Sequence, residues 1–167
     1  AEPVPYKRYL QWLERHDRQA SLAFWREALN GYDEAVSVPG ERRLAHQPYR
    51  ALSQTWMIGA DDTHALKALA ARLHVTLSTV VQTLWAALLA AYADRDDVVF
   101  GATVSGRPED LSGVERMVGL FINTLPVRVR LSDDDAFETV ARRGQAEQLA
   151  AHAHAATPLA DIQALGT

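Results

Sequence analysis

The chain has 167 residues, 48% hydrophobic and 23% charged, which is enough for one domain with a real core and excludes disordered and fibrous classes. Its formal net charge of −4 offers no basic field for phosphate backbones, so nucleic acid is not an expected partner. The absence of cysteine excludes disulfides, iron–sulfur clusters, thiolate zinc sites and a cysteine nucleophile.

Along the chain, Tyr6, Tyr9, Leu10 and Leu13 recur at helical spacing. Leu22, Trp25 and Leu29 repeat the pattern ahead of Asn30-Gly31, a pair suited to closing a helix. From Tyr32 to Ser53 periodicity is lost around Pro39-Gly40 and Arg42-Arg43, the mark of a long surface connection. Thr55-Trp56-Met57-Ile58 reads as a short strand, and Asp61-Asp62-Thr63 as capping side chains for a helix carrying Leu66, Leu69 and Leu73. The stretch from Thr76 to Tyr92 is apolar almost all round, with Val80, Val81, Leu84, Trp85, Leu88 and Leu89. It is expected to be a central helix covered on most sides, where Leu84→Ala costs about 2–5 kcal/mol.

Val98 to Val104 is a continuous apolar run, expected as a strand covered on both faces. Leu125, Val127, Val129 and Leu131 alternate with Pro126, Arg128 and Arg130, the period of a strand with one wet face. These two strands are expected in one sheet, with residues 107–122 projecting away from it. Asp133-Asp134-Asp135 then caps a long helix bearing Phe137, Val140 and Leu149, followed by an Ala-rich stretch near His152. Helices and strands interleave, so the class is α/β, or an α+β sandwich, with a small mixed sheet covered by helices. No run reaches the roughly 18 apolar residues of a membrane span, and Ala1-Glu2-Pro3 lacks a signal peptide's basic region. The expectation is a cytoplasmic protein with no membrane partner.

The segment Val104-Ser105-Gly106-Arg107-Pro108 leads into Gly119-Leu120-Phe121-Ile122-Asn123-Thr124 and on to Arg128. It closely resembles the signature Gly-x-Phe-(Val/Ile)-Asn-Thr, with its preceding Gly-Arg-Pro loop, of nonribosomal peptide synthetase condensation domains. Tyr6, Tyr9 and Trp12 resemble the same family's Tyr-x-x-Tyr-x-x-Trp helix, and Phe24-Trp25 and Leu29-x-Gly31 follow in the family's order. Epimerisation and heterocyclisation relatives carry Phe-Asn-Tyr and Asp-Phe-Thr variants, and neither is present.

The resemblance implies one lobe of a two-lobed fold similar to chloramphenicol acetyltransferase. That domain joins a donor thioester to an acceptor amine, both carried on the 4'-phosphopantetheine arms of peptidyl carrier proteins, beside an adenylation domain. No cofactor is implied to bind directly. In the family a His-His-x-x-x-Asp-Gly motif handles the proton. His16, His46, His64, His74, His152 and His154 include no such motif. Residues 1–167 are thus expected to be the lead-in helix and front section of the C-terminal lobe. The N-terminal lobe would lie upstream, and Asp161-Ile162-Gln163 resembles the region before a crossover latch. Alone, the piece is expected to be inactive, with no catalytic residue, and able to self-associate through apolar surface that the other lobe covers.

Single residues keep two readings. Asn123 either caps the local backbone or points into the lobe junction with Thr124 and Phe121 to contact substrate. Arg107 either pins its loop through carbonyl or carboxylate bonds or reaches an acidic group across the lobes. Gly106, Pro108, Gly119, Arg128, Tyr6, Tyr9 and Trp12 are expected to be structural. Gly113 and Gly119 read as the ends of a short helix, not as a phosphate loop. His152 and His154 are two apart, the wrong spacing for chelation on a helix, and are expected to be solvated; no metal site is expected. The runner-up function is a non-catalytic condensation-like scaffold that docks carrier or partner proteins. A free coenzyme A acyltransferase is the third reading, with less support from the Gly-Arg-Pro to Asn-Thr segment.

Overall fold

A computed structural model describes residues 2–32, 35–36 and 52–165, and most of the surface connection expected between Tyr32 and Ser53 lies outside them. The element order is α1 (Lys7–Arg15), α2 (Arg18–Ala28), α3 (Ala60–Leu73), α4 (Leu77–Ala93), β1 (Asp97–Val104), a 3-10 turn (Val114–Arg116), β2 (Asn123–Arg130), α5 (Phe137–His152) and α6 (Leu159–Gln163). β1 and β2 form a two-stranded sheet. Its strands run antiparallel, because Leu131 donates to the Asp96 carbonyl at one end while Gly101 lies against Thr124 further along. Among the described residues the sheet has two strands, small as expected.

The chain divides into two compact units, one of Ala1–Ala35, Val99–Arg128 and Ala146–Thr167, the other of Val36–Val98 and Val129–Gln145. In the first, α2 starts at Asp17, whose carboxylate accepts from Ala20 N at 2.9 Å, and it buries Trp25 and Leu29 against Leu125, Ala155 and Ile162. Gly31 closes the helix with φ +75°, as Asn30-Gly31 leads one to expect.

In the second unit, α3 packs on α4 across a 100° bend. His74, at φ 55°, ends α3 in the left-handed conformation. Thr76 caps α4 by accepting from Thr79 N, and Gln145 Oε1 accepts from both Thr76 N and the Thr79 hydroxyl at 2.8 Å. The buried side of α4 is Thr79, Val80, Thr83, Ala86, Leu89 and Ala90. Among the described residues no single helix is long and apolar enough to cross a membrane.

Several expectations are corrected. α4 is not covered on most sides: Val81, Leu84, Trp85, Leu88 and Tyr92 are 46–56% exposed, because small Ala and Thr side chains fill its packed face and leave the large ones outside. Thr55–Ile58 is not a strand; among the described residues it has no pairing partner, and Trp56 and Met57 are exposed. β1 is fully buried only at Val98, while Gly101 and Thr103 face out. α3 begins at Gly59 without a side-chain cap, with Asp61 and Asp62 inside its first turn, where they meet the positive end of the helix dipole instead. Asp135, just ahead of α5, pairs with Arg143 of that helix at 3.0 Å. Leu149 is exposed on α5.

Candidate functional site

The two signature segments meet. Val4 forms a parallel bridge with Met117, which brings the start of α1 onto the loop between the strands. Tyr6 lays its ring over Gly119, where a Cβ would sit 2.1 Å from the ring, and its hydroxyl donates to the Leu120 carbonyl at 2.5 Å. One turn on, Tyr9 is buried with its ring 4.6 Å from Phe121 and 6.0 Å from Trp12. Trp12 Nε1 in turn donates to Asp110 Oδ2 at 3.0 Å. The loop thus folds onto the N-terminal segment and α1. Burial, and then the nearby Tyr6 phenol, raise the Tyr9 pKa above its ordinary value.

Gly106 and Arg107 close the other side. Gly106 has φ +61°, and a Cβ there would sit 2.0 Å from the Phe121 carbonyl oxygen, so both its conformation and its neighbour demand glycine. The Arg107 guanidinium donates to the Val114 and Met117 carbonyls and stacks 4.0 Å over the Phe121 ring. Of its two readings, the structure exhibits the loop-pinning bonds. Gly113, at φ +81°, opens the short 3-10 turn, as its position suggests, but the turn closes at Met117 and Gly119 lies beyond its end. Pro108 precedes Asp110 in the loop and accepts from Leu111 N at 3.5 Å.

Asn123 begins β2. Its Nδ2 donates to the Ala155 and Thr157 carbonyls at 2.8 and 2.7 Å, and its Oδ1 accepts from Thr124 N at 2.9 Å. Both sides of the amide are therefore used on backbone, tying the strand to the turn after α5. The Thr124 methyl lies against Gly101. Arg128 donates to the Ala28 and Asn30 carbonyls at 3.2 and 2.8 Å, satisfying the C-terminal end of α2.

Beside this knot lies an open cavity of about 440 Å³, lined by Trp12, His16, Gly106, Arg107, Pro108, Glu109, Asp110, Leu149, His152 and three alanines. His152, at the end of α5, is exposed. His154 is not solvated as its spacing suggests. It leaves the helix, stacks on Phe24 at 4.2 Å and bonds the Ser21 hydroxyl at 3.0 Å through Nδ1. Burial, and then His16, lower the His154 pKa. Among the described residues no group of three or more metal-ligating side chains forms. Arg107 and Asn123 both donate to backbone carbonyls, and Arg107 also lines the cavity.

Sequence reasoning missed Asp110 as the partner of Trp12, 98 positions away, and the 155–157 turn as the acceptor for Asn123. No local spacing signals either contact.

Comparison with known proteins agrees along the whole length. Bacitracin synthase 3 of Bacillus licheniformis is 40% identical over 164 residues, which cover 98% of this chain and 3% of that protein. Surfactin synthase subunit 3 of Bacillus subtilis (strain 168) is 41% identical over 159 residues, 95% of this chain and 12% of that protein. Among solved structures, the X-domain from teicoplanin biosynthesis superposes with TM-score 0.76 at 29% identity, covering 96% of this chain and 36% of that one. The first condensation domain of the calcium-dependent antibiotic synthetase shares the fold with TM-score 0.75 at 23% identity, over 94% of this chain and 35% of that one. The chain therefore spans about a third of these solved domains and a small part of the synthetases. The family model described as "Condensation domain" matches residues 1–166, and the chain belongs to the condensation-domain family.

Proposed function

We propose that this chain is the front of the second lobe of an amide-forming condensation domain, and that it serves as scaffold while proton transfer is supplied elsewhere in the domain. The observation that carries this reading is the use of the signature residues. Gly106, Arg107, Gly119, Phe121 and Asn123 are all engaged in holding the loop and the start of β2 against α1 and the turn after α5. Donor and acceptor would arrive as thioesters on the phosphopantetheine arms of carrier proteins, in the cytoplasm, with an adenylation domain nearby. Thr124, Phe121, Asn123 and Arg107 would shape the lobe junction from behind its surface. The exposed apolar stripe on α4 supports a further contact with the rest of the domain, or self-association in its absence.

The test loads two carrier proteins with donor and acceptor aminoacyl groups and follows dipeptidyl thioester by intact-protein mass spectrometry. Residues 1–167 alone should give no product above the no-enzyme control, since losing a positioned base costs about 10²–10⁴ in rate before the lost alignment of tethered substrates is counted. Fusion to a condensation N-terminal lobe carrying His-His-x-x-x-Asp-Gly should restore product. Turnover by the chain alone overturns the reading.

A second reading, the non-catalytic scaffold, is favoured by one observation. The X-domain in its complex with OxyB from teicoplanin biosynthesis superposes with TM-score 0.77 at 29% identity. A fused two-lobed protein that binds a partner protein yet forms no dipeptide would select it.

A further inference from the structure

Ser21 lies in α2 and is 1% exposed, and its hydroxyl is met by two imidazoles. His16 Nε2, at the C-cap of α1, is 3.0 Å from Ser21 Oγ, and His154 Nδ1, in the turn after α5, is also 3.0 Å away. A hydroxyl carries one hydrogen, so it donates to one ring and accepts N–H from the other. That pattern is satisfied when both imidazoles are neutral, and equally when one of them is protonated. A second proton makes both facing nitrogens donors. The hydroxyl hydrogen then has no imidazole to accept it, and two cations face one oxygen. Both rings are also held from the side, His16 stacked on Trp12 at 5.0 Å and His154 on Phe24 at 4.2 Å, so neither is placed to swing away freely.

We propose that His16, Ser21 and His154 form a one-proton latch that fastens the turn after α5 to the corner between α1 and α2, and that a second proton in mildly acid solution releases the turn. The turn matters because its Ala155 and Thr157 carbonyls accept from Asn123, and because Ala153, Ala155 and Ala156 line the cavity together with His16 and His152. Release would loosen the start of β2 and one wall of the cavity together.

The ionisable groups on the elements around the latch divide into two sets. Asp17 caps α2, and Arg18 pairs with Asp161 of α6 at 3.0 Å. Across the cavity from His16 stand Arg107, Glu109, Asp110 and His152. Burial, and then His16, hold His154 below the ordinary imidazole range, so the folded chain keeps this group neutral where the unfolded chain protonates it. Stability therefore falls as pH drops through the ordinary histidine value of about 6.5 toward the lowered one, and is regained on neutralisation.

The test is an NMR titration of the imidazoles in the 167-residue chain, with amide protection factors for residues 152–157 measured in parallel. His64 and His74, both exposed, serve as internal references. In the native chain the two facing histidines should titrate in separate steps, and protection of the turn should be lost with the lower step. His16→Gln leaves an amide oxygen to accept from Ser21 and removes the second charge. It should raise the His154 midpoint and keep the turn protected in acid. Coincident native midpoints at the reference values, or a His154 midpoint unmoved by His16→Gln, overturns the proposal.

Discussion

The signature loop from Gly106 to Thr124 and helix α4 are both rich in apolar residues, and they use them in opposite ways. In the loop, the buried side chains have specific counterparts: Phe121 sits among Tyr6, Tyr9 and Arg107, and Gly119 makes room for one ring, while Val118, Leu120 and Ile122 stay exposed. On α4, burial is done by Val80, Leu89, Thr79, Thr83 and alanines, while Leu84, Trp85 and Leu88 remain about half exposed. Apolar content alone does not locate a core. In the loop, contacts are matched in shape and cannot be exchanged; on α4, apolar area exceeds what the helix pair uses and is left for another surface.

This contrast is broken most easily at Gly106. Gly106→Ala puts a Cβ against the Phe121 carbonyl oxygen in a left-handed conformation, with no flexible side chain to yield. It should cost about 4 kcal/mol or more, as the sum of strained φ and overpacking, read as a large drop in denaturation midpoint. Phe121→Ala should come next, at about 3–4 kcal/mol, since it empties the centre of the aromatic cluster. Asn123→Ala leaves two carbonyls of the turn without their donor and should cost about 1–3 kcal/mol in chemical denaturation. Leu84→Ala closes the series at under about 1 kcal/mol, because the side chain is 48% exposed, far below the figure that full burial would give. Replacing Leu84 and Leu88 together by Ser should leave the midpoint nearly unchanged and reduce self-association in sedimentation velocity. A large stability loss at Leu84 would erase the distinction between the two regions.

Much of this was legible in one dimension. Helices α1, α2 and α5, the two strands and their shared sheet follow from spacing and alternation, and the family follows from a contiguous motif. What spacing could not supply was pairing. Trp56 and Ile58 have strand composition but no neighbouring strand among the described residues, and composition cannot report a missing partner. α4 is apolar all round, and periodicity cannot tell which side another part of a domain would cover. Asp110 and Trp12, or His154 and Ser21, are ordinary polar and aromatic residues until the fold brings them within 3.0 Å. Asn123 shows the limit of the motif itself, which marks the position as special without indicating that its amide is consumed by backbone.

The bond from Tyr6 to Leu120 links positions 114 apart, and Val4 bridges Met117 across a similar span. During synthesis at about 5–20 residues per second, the first aromatic helix therefore waits roughly 5–20 s before the loop that seats it exists. Closing so long a loop is slow relative to local helix formation. Helices α3 and α4 emerge within that interval and can pair with each other at once, with the apolar stripe of α4 uncovered. The order of appearance on the ribosome thus leaves α1 without its seat until residue 121 is made, and α2 without Ala155 and Ile162 for longer still.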